Sequence, residues 1–104
     1  MPGRKLKVLI SSKARIALKD ILVYTRRTWG YEQYKKYNRT LKDAFKKIAQ
    51  NPLSGKARDD LYVGCRSYRV GSHVVFYRIF ENHIEISRIL HKSMDFERHF
   101  PEDS

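Results

Sequence analysis

One cysteine among 104 residues, Cys65, excludes an internal disulfide, as expected of a chain kept in a reducing cytoplasm. A lone thiol among apolar and aromatic neighbours is most often inert packing. Three prolines and five glycines leave no low-complexity stretch or linker, so one domain over residues 1–104 is expected, with one modest core. No apolar run approaches the ~18 residues of a membrane span. Lys5 and Lys7 interrupt any signal-peptide core. His73, His83, His91 and His99 do not recur at metal-ligand spacing, and no Gly-rich phosphate loop, nucleophile elbow or HExxH is present. Neither a metal nor a cofactor is expected. Carboxylates are scarce: 11 Asp and Glu face 22 Lys and Arg, for a net charge of +11. Such a chain attracts nucleic acid or an acidic protein. A membrane surface suits it least, because its basic helices also carry stripes committed to a core.

The apolar pattern changes period along the chain. Leu6 to Ile10 reads as a short strand followed by two N-cap candidates, Ser11 and Ser12. From Lys13 to Trp29, the residues Ala14, Ala17, Leu18, Ile21, Leu22, Thr25 and Trp29 recur at spacings of three and four, predicting one core-facing helical stripe. Gly30 supplies its stop. A second helix is predicted from about Glu32 to Gln50, with Tyr34, Tyr37, Leu41, Ala44, Phe45 and Ile48 inward and Asn51-Pro52 at its end. Its other side carries Lys35, Lys36, Arg39, Lys42, Lys46 and Lys47. With only Gly30 and Tyr31 between them, the helices must form an antiparallel hairpin. Leu53 to Gly64 reads as a polar loop.

Cys65 to Asp95 reads as a three-stranded β-meander. Turns at Gly71-Ser72 and Glu81-Asn82 pair Val70 with His73, Tyr68 with Val75, Arg66 with Tyr77, Tyr77 with Ile86 and Ile79 with Ile84. Alternation then puts Tyr68, Val70, Val75, Tyr77, Ile79, Ile84, Ile86 and Leu90 on a core face. Ser67, Arg69, Val74, Phe76, Arg78, Phe80, Glu85, Ser87 and His91 fall on a solvent face. Arg88 lands on the core face and is expected to snorkel to an edge or pair with Asp59 or Asp60. The predicted fold is α+β, in the order β-α-α-β-β-β: a helical hairpin packed on a small, mainly antiparallel sheet. Met94 to Phe100 adds a last helical turn.

Several groupings carry chemistry. Arg69, Arg78, Glu85 and His91 are residue types able to cleave RNA by general acid–base catalysis with phosphorane neutralisation. Their structural alternative is an Arg78–Glu85 ion pair worth ~0.2–1 kcal/mol with solvated neighbours. The cations of the second helix either track phosphates or form a solvated face, with Asp43 and Lys47 as an i,i+4 pair. A helical hairpin on three strands also leaves a groove and a free strand edge for an amphipathic partner.

The stretches ARIALKDILVYTRRTWG, QNPLSGKARDDL, RSYRVGSHVVFYRI and RILHKSMD, in that order from about Val8 to Phe100, resemble the ParE branch of the RelE/ParE toxin superfamily. That resemblance implies the same β-α-α-β-β-β fold and a toxin of a type II toxin–antitoxin system. It implies a protein that poisons DNA gyrase without being an enzyme, and with no catalytic residues. Target interaction is assigned on this basis to Arg66, Arg69, Arg78, His91, Lys92 and Met94. Arg15, Leu18, Lys19, Leu22 and Arg26 are assigned to a cognate antitoxin with an acidic C-terminal segment, in a hetero-oligomer that reaches operator DNA only as a complex. The RelE branch implies a ribosome-dependent mRNA endonuclease instead, but its distal tyrosine is missing here, since no tyrosine follows Tyr77. A non-toxic, basic nucleic-acid-binding module is the third reading.

Overall fold

The computed structural model describes residues 6–100; Lys5 lies outside them. Strand β1 (Lys7–Ile10) leads into helix α1 (Ser12–Trp29). Ser11 caps that helix: its hydroxyl accepts the Ala14 amide at 3.1 Å and donates to the Ser87 carbonyl at 2.8 Å, tying the helix start to the sheet. Gly30, at φ +94°, is the one residue between α1 and α2 (Tyr31–Gln50). Tyr31, expected in the linker, therefore begins the second helix.

Beyond α2 the chain makes a 3-10 turn over Pro52–Ser54 and a two-residue strand, β2 (Lys56–Ala57), which pairs with Ser67 and Arg66. The expected polar loop thus contributes an edge strand. Strands β3 (Cys65–Val70), β4 (His73–Ile79) and β5 (His83–His91) form the meander. The sheet order is β1-β5-β4-β3-β2, with β1 parallel to β5 and the other pairs antiparallel. Every cross-strand pair predicted from the two turns is present.

Past those pairs the parity changes. Tyr77 lies opposite Ile86 while Phe76 lies opposite Arg88, which leaves Ser87 as an extra residue in a β-bulge. Its hydroxyl donates to the Phe76 carbonyl at 3.2 Å and meets the Tyr62 hydroxyl at 2.9 Å. The bulge turns the rest of β5 over. Ile89 and His91 join the helix side, while Arg88 and Leu90 move to the opposite face. Strict alternation predicts the reverse for Leu90, Arg88 and His91, and the bulge corrects all three.

On the helix side, Ala14, Leu41, Ala44 and Ile48 meet Val70, Val75, Tyr77, Ile84, Ile86 and Ile89 in the main core. The expected solvent face is covered as well. Leu61, Cys65, Val74, Phe76, Leu90 and Phe100 form a second cluster there, flanked by Tyr62 and Phe96. The 3-10 turn Phe96–His99 and the segment around Leu61 fold over it, because Val74 and Phe76 point outward and burial of apolar surface draws apolar chain across them. Arg88 sits above this cluster, over the Phe100 ring at 5.7 Å, and donates to the His99 carbonyl at 3.2 Å. It pairs with neither expected aspartate: Asp60 binds Arg58 and Asp59 accepts the Gly64 amide. Burial pushes the Cys65 thiol up to about 11, so it stays protonated and inert.

Candidate functional site

One predicted set converges. Arg15, Leu18, Lys19, Leu22 and Arg26 succeed one another at helical spacings and line a single groove of 390 Å³ with Val23 and Tyr34. Leu18 and Leu22 are half-buried in it, while Val23 and the rim cations Arg15, Lys19 and Arg26 are exposed. Arg26 stacks over Tyr31 at 5.3 Å and Tyr34 at 6.0 Å, so part of the rim is pre-ordered. An apolar trough edged by cations suits an amphipathic segment that presents aliphatic anchors and carboxylates.

The other predicted set divides. Arg69, His91, Lys92 and Met94 gather at the β3–β4 turn: Arg69 donates to the Gly71 carbonyl at 3.1 Å, and the Lys92 amide donates to the Ser72 carbonyl at 2.9 Å. Met94 follows, with its amide on the His91 carbonyl at 3.0 Å, and is 46% exposed. Arg66 and Arg78 lie at the far end of these strands. Arg66 points to the helix side and donates to the carbonyls of Gly55 at 3.1 Å and Leu53 at 3.2 Å, pinning that loop. Arg78 is exposed on the outer face with its guanidinium 5.2 Å from the Phe80 ring centre. It stands opposite Glu85 but forms no ion pair with it among the described residues, and neither do Asp43 and Lys47. The grouping of Arg69, Arg78, Glu85 and His91 is split as well, because the bulge turns His91 to the helix side.

Beside the β3–β4 turn lies a larger groove of 890 Å³, whose lining includes Asp20, Tyr24, Trp29, Gln33, Tyr37, His73 and His91. The Tyr37 hydroxyl meets His73 Nδ1 at 2.7 Å, and the His73 and His91 rings are edge to face at 5.3 Å. Burial, then the neighbouring His91, lowers the His73 pKa; burial raises that of Tyr37. The His73 imidazole is therefore a neutral hydrogen-bonding group at ordinary pH. Trp29 is predicted to be core by its spacing, yet it is 68% exposed, at the end of α1 where it lines this groove with His73 and His91. Register alone places His73 beside Val70, but only the bulge brings His91 to it. Among the described residues no three His, Cys, Asp or Glu side chains gather to hold a metal ion. No helix there is long and apolar enough to cross a membrane.

Residues 8–96 match the profile of a family described as "ParE toxin of type II toxin-antitoxin system, parDE". The chain is 40% identical over 90 residues to Toxin ParE1 of Caulobacter vibrioides, covering 86% of this chain and 93% of that protein. It is 38% identical over 93 residues to Toxin ParE1 of Mycobacterium tuberculosis, covering 88% and 95%. Two solved structures share its fold. The chromosomal ParDE toxin–antitoxin system of P. aeruginosa superposes with a TM-score of 0.71 at 20% identity, over 84% of this chain and 96% of that one. The toxin–antitoxin complex RelBE2 of M. tuberculosis gives 0.63 at 24% identity, over 86% and 100%.

Proposed function

This chain belongs to the ParE family, the toxins of type II toxin–antitoxin systems; on that premise we propose that it arrests growth in the cytoplasm by poisoning DNA gyrase, binding it without catalysing a reaction. The observation that carries this reading is the family match across nearly the whole chain, residues 8–96. The target contact is assigned to the turn end of the sheet, which carries Arg69 on its outer face and His91 on its helix side, with Lys92 and Met94 following His91. At the far end of the same strands, Arg78 on the outer face and Arg66, which pins the 53–55 loop, are assigned to a second part of that contact. Purified toxin at about equimolar ratio is expected to block supercoiling and accumulate cleaved DNA, with Arg69→Ala and Lys92→Ala weakening both effects. Undisturbed supercoiling at excess toxin refutes the target.

The toxin is held in check by a cognate antitoxin. The α1 groove is its proposed seat, with an acidic segment over Arg15, Lys19 and Arg26 and apolar anchors on Leu18 and Leu22. Operator DNA is reached only through that hetero-oligomer. Charge reversal at the rim (Lys19→Glu) should slow association, whereas Leu22→Ala should speed dissociation; complexes indifferent to both changes place the antitoxin elsewhere. The ribonuclease reading is second. Arg69, Arg78, Glu85 and His91 are the residue types it needs, but they lie on two faces of the sheet. Primer extension on translated mRNA tests it, and new cuts abolished by Arg69→Ala would establish it. Growth arrest on induction rules out a harmless nucleic-acid-binding module.

A further inference from the structure

Helix α2 carries more charge of one sign than its place in the fold requires. Lys35, Arg39, Lys42 and Lys46 follow one another at steps of four, three and four, so they make one continuous stripe, and all four are exposed. Against its six cations the helix carries two carboxylates, Glu32 and Asp43. Glu32 meets Lys35 at 3.5 Å, while Arg39, Lys42 and Lys46 form no ion pair among the described residues. Neighbouring like charges at these spacings repel and oppose the helix that bears them. Solubility alone is met by mixed signs. A ladder of cations, three of them without an ion pair among the described residues, becomes favourable when a polyanion lies along it.

The geometry fits such a partner. From Lys35 to Lys46 the helix rises about 16 Å at 1.5 Å per residue, long enough to lie along several phosphates of a duplex backbone. Leu41, Ala44 and Ile48, on the other side of α2, are buried against the sheet, so the stripe is held on a rigid element. It begins beside the α1 groove, where Lys35 and the rim residue Arg26 lie over the same Tyr31 ring at 5.0 and 5.3 Å, but none of its four cations lines that groove. Tyr34, the α2 residue that lines that groove, points about 100° away from Lys35 around the helix axis.

We propose that this stripe binds the phosphate backbone of duplex DNA without regard to sequence. The proposal does not depend on the gyrase reading, although it would seat a gyrase poison on the DNA its target holds. The test is fluorescence anisotropy of the isolated toxin with a short duplex of scrambled sequence, from about 50 to 200 mM salt. Replacing Lys35, Arg39, Lys42 and Lys46 with Gln should weaken binding roughly 100-fold and flatten the salt slope by about 3 to 4, nearly one per lost phosphate contact. A control with Lys13, Arg27, Lys56 and Arg98 changed to Gln also lowers the net charge by four from +11, and it should retain most of the affinity and slope. Equal losses in both variants would mean diffuse net charge and overturn the proposal. So would native protein that leaves the duplex unbound, or single-stranded RNA bound more tightly through the same four residues. All eight positions are exposed, and circular dichroism is the check that each variant folds. Gyrase inhibition is read separately, so either proposal can fail alone.

Discussion

The two faces of the sheet differ in how they are closed. The helix side is covered by a rigid hairpin whose stripes match the strands, and its core continues from Ala14 to Ile89. The outer side is closed by irregular chain: Leu61 and Tyr62 from one loop, Phe96 and Phe100 from the tail. Phe76 lies at the centre of the outer side, with Phe96 and Phe100 edge-on at 5.0 Å each. Two faces of one sheet can therefore be equally dry while only one shows a periodic partner in the sequence. Alternation tells which residues share a face; it does not tell which face meets water.

The sharpest way to break this comparison is Phe76→Ala. A truly wet face would lose under ~0.5 kcal/mol, whereas a fully buried phenylalanine costs about 3–5 kcal/mol when cut to alanine. Urea unfolding should show the larger loss, and an unchanged midpoint would return the outer face to solvent. A finer contrast compares two tyrosines. Tyr77 on the helix side donates to the Pro52 carbonyl at 2.6 Å and accepts the Gly55 amide at 2.9 Å. Tyr77→Phe strands that buried amide and should cost about 1–3 kcal/mol. On the outer side the Tyr62 hydroxyl meets Ser87, itself already bonded to Phe76, so Tyr62→Phe should cost about 1 kcal/mol or less. Equal losses would show that both faces rely on their polar anchors alike.

The smallest effect concerns the helix-side rim. His73 is lowered from its ordinary value by burial and by His91, so the unfolded chain takes up the proton first. Its contribution to stability is complete above the unfolded value of about 6.5 and declines as the pH falls from there toward the lower folded value. The urea midpoint should drop between about pH 7.5 and 5.5, across that unfolded value. His73→Gln should drop less, and an identical decline in both proteins would assign the effect to other groups.

Much of the architecture is legible because its determinants are local. Ser11, Gly30 and Asn51-Pro52 delimit the helices to within a residue, since caps and stops act through backbone groups beside them. Gly71 and the Glu81-Asn82 turn set the hairpin register, which carries Arg66 opposite Tyr77 and His73 opposite Val70. The α1 groove is legible for the same reason: Arg15, Leu18, Lys19, Leu22 and Arg26 share one helical side. The turn-end groove is not. It needs Trp29 left exposed at its edge and the bulge that brings His91 to His73, and neither has a signal in its own neighbourhood.

The order of the main elements, the ends of the helices and, Trp29 apart, their inward stripes follow from residues within a few positions of one another, so the amino-acid sequence alone determined them. The Ser87 bulge, the second apolar layer and the company His91 keeps were decided only by tertiary structure. Each depends on segments far apart in the chain competing to cover the same apolar surface. That competition is settled by the burial of Phe76 beneath Phe96 and Phe100.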